Sequence, residues 1–171
     1  LANAAVFYAY DRELYLRRLN QRLGRKGLRI LPLRWRGEKA LLYLYRPDGL
    51  QKDLQDELAQ QLLEQEGYPL VNSGQCIVKL MRRLRDDGDF PHEIGLFLSY
   101  PPEDVKGFID NHARNFKYSG IWKVYSDVDR AKDMFHRFRK CTELYIRKWQ
   151  EGCSMEKLAV RSVTSLETDG K

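Results

Sequence analysis

Seven residues in the last third of the chain, Val128, Ala131, Phe135, Phe138, Thr142, Tyr145 and Trp149, follow one another at alternating steps of three and four. At 3.6 residues per turn this spacing draws one stripe along a single long helix, and such a stripe must be laid against something. The pattern predicts a helix that Asp127 caps and Gly152 stops, with one dominant buried seam. Any fold for this chain has to supply the surface that covers it.

Upstream, Ala5–Tyr10 is short, β-branched and aromatic and reads as a first strand, followed by a helix capped by Asp11 with Leu16, Leu19 and Leu23 on its inner face. Leu28–Trp35 and Lys39–Arg46 read as a hairpin, with Pro32 placing the first of them at a sheet edge. Leucines 50, 54, 58 and 62 make one stripe on a helix from 48 to 66, and Ile77, Leu80, Met81 and Leu84 another after Ser73. Asp86-Asp87-Gly88-Asp89 reads as a turn, since the alternation and the downstream glutamate of a calcium loop are missing.

The apolar run Ile94–Tyr100 has the length of a central strand. Pro102, Glu103 and Asp104 start a helix with Val105, Phe108, Ile109 and His112 inward, and Ile121–Ser126 reads as the last strand. The expected order is β-α-β-β-α-α-β-α-β-α: an α/β (mixed α+β) fold with a single mixed sheet of about five strands and helices packed on it. Strands 94–100 and 121–126 would form a parallel crossover. Residues 1–158 are expected to be one domain and 159–171 a flexible tail.

Composition narrows the function classes. The longest uninterrupted apolar runs, Ala4–Tyr10 and Ala40–Tyr45, fall far short of the ~20 residues a membrane helix needs. No signal peptide is visible, and three cysteines, 76, 141 and 153, do not make a disulfide framework, so a reducing cytoplasm is expected. Residues 1–50 carry eleven Lys/Arg against four Asp/Glu, whereas 51–70 carry one against five. Arg12, Arg17, Arg18, Arg22 and Arg25 fit the solvated face of one helix, and without a nucleic-acid motif beside them nucleic acid is an unfavoured partner.

Catalytic signatures are sparse. His92-Glu93 resembles the start of a zinc-protease HExxH helix, but position 96 is Leu, and no metal site is expected. His136 and Cys141 lie about 140° apart on a helix and do not converge. Walker, dinucleotide-binding and nucleophile-elbow motifs are absent from the sequence. His92 and Glu93 stand as catalytic candidates, with a thiol or carboxylate brought in by the fold. The carboxyl ends of two parallel strands would gather Ser99, Tyr100, Tyr125, Ser126 and Asp127 at one sheet edge, where open α/β sheets bind ligands. An accessory module holding a small molecule or a protein partner at that edge is the favoured reading, the cofactor being undetermined.

The run FPHEIGLFLSYPPEDV (90–105), then Gly107-Phe108-Ile109, Gly120–Tyr125 and the spacing of Phe135, Cys141, Gly152 and Leu158, resembles an uncharacterised bacterial family, domain of unknown function 3793. The resemblance is tightest over 90–158 and looser before it. It implies a cytoplasmic protein of anaerobic-type bacteria, without a reaction or assigned residues. In that family glycine is usual where this chain has Ser99, and a Cys-Ala-Pro-Thr-type segment precedes the first strand, whereas this sequence starts at Leu1.

Overall fold

The computed structural model describes residues 3–8, 12–37, 39–85 and 90–160. The expected Asp11 cap, the 86–89 turn and the tail from 161 onward lie outside the described residues. Strand β1 (Asn3–Tyr8) leads to helix α1 (Arg12–Gly24) and the hairpin β2 (Arg29–Arg36) and β3 (Lys39–Tyr45). Helices α2 (Pro47–Asp53), α3 (Glu57–Gln65) and α4 (Ser73–Arg85) follow. After them come a helical turn α5 (Ile94–Phe97), helix α6 (Pro102–Asp110), a hairpin β4 (Tyr118–Ser119) and β5 (Lys123–Val124), the long helix α7 (Val128–Gln150) and a turn α8 (Met155–Leu158).

The strands form two separate antiparallel sheets, one of order β1-β3-β2 and one of β4-β5. The expected single mixed sheet of five strands with a parallel crossover is therefore wrong. β3 is the central strand, and its alternation explains the layering. Ala40 and Leu42 face Leu16, Leu19 and Leu23 of α1, while Tyr43 and Tyr45 face the other side, into a core built from α2 to α6. Pro32 does lie on an edge strand, and the register slips between Pro32 and Arg34 so that Leu33 is an extra, buried residue.

Two of the helix expectations also change. The 48–66 helix is broken at Leu54–Asp56, because the Asp56 carboxylate accepts from the backbone N–H groups of Leu58 and Ala59 and starts a new helix. Of the expected leucines, 50, 54 and 62 are buried and Leu58 is half-buried, and on α3 Ala59 and Leu63 join Leu62 on the inner face. His112, expected inward, is exposed beyond the end of α6 with φ +47°.

The largest correction concerns 94–100, which is a helical turn and not a strand. Its apolar side chains are buried whatever the backbone does, so a continuous apolar run could not tell the two apart. The backbone closes it with a Schellman arrangement: the Tyr100 N–H donates to the Gly95 carbonyl (3.0 Å) and the Ser99 N–H to that of Leu96 (3.2 Å). Ser99 occupies the left-handed position with φ +60°, the conformation that favours glycine. Tyr43 ties this turn to the sheet by donating its hydroxyl to the Phe97 carbonyl (2.6 Å).

Candidate ligand-binding cleft

The expected strand 121–126 is reduced to the two residues of β5, paired with β4. This small hairpin packs on α7 because Gly120 has no side chain: a Cβ there would fall 2.1 Å from Cε2 of Phe135. Trp122 then meets Phe135 edge-on (ring centroids 4.4 Å) and stacks on Tyr100 (4.7 Å).

Asp104 locks this arrangement. It sits in the first turn of α6, yet it is buried. Its Oδ2 accepts from the Trp122 indole (2.7 Å), and its Oδ1 accepts from the backbone N–H groups of Tyr125 and Ser126 and from the Ser126 hydroxyl, each at 2.8 Å. Four donors on one carboxylate fasten the segment before α7 to α6. The sequence suggested Asp104 only as a helix-dipole partner; nothing local reveals donors that come from about twenty residues away.

Between α5, α6 and the β4–β5 hairpin lies a cleft of about 350 Å³. Its walls are mainly apolar: Phe90, Ile94, Tyr100, Phe108, Ile121 and Trp122. That size and lining match small-molecule sites. Four polar side chains, His92, Asp104, Ser119 and Lys123, also line it, and the Asp104 carboxylate is already engaged by its four donors. His92 is exposed, with its ring 5.0 Å from that of Phe108 and 5.9 Å from that of Phe90. Lys123 donates to the Ala113 carbonyl (2.7 Å) and lies 4.9 Å from the Phe116 ring and 5.8 Å from that of Phe108. Burial pushes the Tyr100 hydroxyl above its ordinary pKa, so it stays a neutral donor at physiological pH.

The sequence candidates are thus dispersed. His92 lines the cleft, but its neighbour Glu93 is turned into the core, where it accepts from the Tyr68 hydroxyl (2.6 Å) and lies 3.2 Å from the Arg83 guanidinium. Burial, then the hydrogen bond to the Glu93 carboxylate, drives the Tyr68 pKa well above the ordinary phenol range. Tyr100 belongs to the cleft. Ser99 faces a separate, more polar cavity and donates to Asp53 (2.6 Å). Ser126 is held by Asp104, and Asp127 caps α7 by accepting from the Arg130 N–H (3.0 Å).

Tyr125 packs against Gly107, where a Cβ would lie 2.4 Å from its ring, and its hydroxyl oxygen is covered without a hydrogen-bond partner among the described residues. Phe108 and Trp122, which make the cleft, were read as helix and strand core. Among the described residues no group of three or more His, Cys, Asp or Glu is placed to hold a metal. Cys76, Cys141 and Cys153 are free thiols. No helix among the described residues is long and apolar enough to cross a membrane.

A family model spans nearly all of this architecture, matching residues 2–159. The chain belongs to the family described as Protein of unknown function (DUF3793). No curated protein and no solved structure matches it significantly. In this DUF3793 chain the FPHEIGLFLSYPPEDV segment supplies one wall of the cleft and the Asp104 lock, and the Gly120–Tyr125 segment supplies the other wall. Ser99 adopts the left-handed backbone that favours glycine and donates its hydroxyl to Asp53.

Proposed function

We propose that this protein is a binding module that holds a small, flat, mainly apolar molecule bearing one acidic group, in the cleft between α5, α6 and the β4–β5 hairpin. The observation that carries the reading is the aromatic lining of Phe90, Tyr100, Phe108 and Trp122 around a cleft of ligand size. Lys123 adds a fixed positive charge and His92 a polar group with access to solvent. The module belongs to a reducing cytoplasm, a placement supported by its three unpaired thiols.

The test is ¹⁵N chemical-shift mapping with indole, 1-naphthoate and 1-naphthylammonium as probes. The reading expects 1-naphthoate to bind best, with shifts at residues 92–108 and 119–123. It expects Phe108→Ala to weaken binding by about tenfold, within the range for losing an aromatic contact and its buried area. Shifts centred elsewhere, or no binding by any probe, would overturn it.

A further inference from the structure

The stripe on α7 is covered over only half its length. Ala131 and Phe135 are buried and Met134 and Phe138 half-buried, but every residue from 139 to 150 is exposed, about 18 Å of helix at 1.5 Å per residue. The bare part is not polar on that face: Tyr145 is 43 % exposed, Ile146 53 % and Trp149 58 %. We propose that this half-helix docks an amphipathic helix of another protein, one with acidic side chains flanking its apolar stripe.

Three observations select that occupant. The seam Phe138, Thr142, Tyr145, Trp149 keeps the alternating three-four spacing that a facing helix interlocks with, and the exposed Leu144 and Ile146 border it on either side. Residues 139–150 carry Arg139, Lys140, Arg147 and Lys148 against Glu143, and with Lys148 paired to Glu151 (2.6 Å) a net positive charge remains, so a second copy would bring like charge to the seam. At the Trp149 end, a cavity of about 340 Å³ shared with α1 is bordered by Arg18 and Arg22, the latter paired with Glu156 (2.7 Å). The surface is separate from the cleft, and neither proposal depends on the other.

The experiment measures fluorescence anisotropy of labelled synthetic helices of about 18 residues, long enough to span the exposed half. One carries Leu along its seam and Glu beside it; the other carries Lys in place of Glu. Binding of the Glu helix is expected to be about tenfold tighter than that of the Lys helix and to weaken with salt. It is expected to fall by at least about tenfold in the double variant Tyr145→Ser, Trp149→Ser, whose thermal unfolding should match the parent because both side chains are exposed. Equal binding of the two helices, or none, overturns the proposal. So does a chain dimer that the double variant dissolves, or Trp149-dependent capture by phosphatidylglycerol vesicles without helix binding. Binding of the Glu helix only after residues 161–171 are removed would make the chain's own end the occupant, and would overturn it too.

Discussion

The two halves of α7 share one pattern and meet different fates. In the first, Ala131 and Phe135 close a cluster with Trp122 and Val124, and the helix is held by the Asp127 cap and, through residues 125 and 126, by the Asp104 lock. In the second, Tyr145 and Trp149 continue the same stripe into solvent. Periodicity states which residues share a face; it does not state whether the rest of the chain reaches far enough to cover that face. A seam whose two halves contribute so differently should respond to substitution just as unevenly.

The sharpest way to break this contrast is a pair of truncations. Phe135→Ala empties a fully buried site and is expected to cost about 3–5 kcal/mol. Ile146→Ala, on the bare half, should stay within about 0.5 kcal/mol. Urea unfolding of both variants checks this, and a comparable loss in the two would mean that the outer half is covered after all.

Asp104→Asn sharpens the account of why the first half is secured. All four donors aim at one carboxylate, three at Oδ1 and one at Oδ2, so either orientation of an amide sets an NH₂ against a donor. The expected cost is about 2–3 kcal/mol for leaving buried donors unsatisfied. Weaker amide protection at residues 122–131, measured by hydrogen exchange, should accompany it.

The smallest effect is expected at the outer end, where the hydrogen bond from Arg22 holds the Glu156 carboxyl down at about 2, with Ser154 and the backbone helping. A depressed carboxylate stabilises the folded state above its unfolded value, 4.5, and that contribution is lost as the pH falls toward 2. Glu156 is half-buried and its partner Arg22 exposed, so solvent screens the pair and the tie between α8 and α1 should loosen in acid without global unfolding. Following the Glu156 carboxyl carbon by NMR checks this; in Arg22→Ala its midpoint should move up toward the ordinary value.

Much of the fold was legible. The β2–β3 hairpin, the edge position of Pro32, the inner faces of α1 and α4, the proline start of α6 and the Asp127 cap of α7 all rest on local rules of alternation, proline geometry and capping. Local rules failed where burial was complete. Around Ile94–Phe97 the apolar content is equally high for a strand and a helical turn, and the positive φ of Ser99 that ends the turn has no signature in a serine. The strand-end site was derived from a parallel sheet and scattered when that sheet proved absent: Tyr100 went to the cleft, Ser99 to another cavity, Tyr125 and Ser126 to the Asp104 side.

By itself the sequence determined which residues lie together on each helix and strand, because side-chain periods of 3.6 and 2 are properties of the backbone. It also determined the family, through motifs carried along the chain. Only the tertiary structure decided that Phe108 and Trp122 line one cleft, that Asp104 serves four donors and Glu93 the core, and that half of the α7 seam stays bare. Each of these depends on contacts between residues far apart in sequence, whose geometry follows from how the elements pack and not from any single element's pattern.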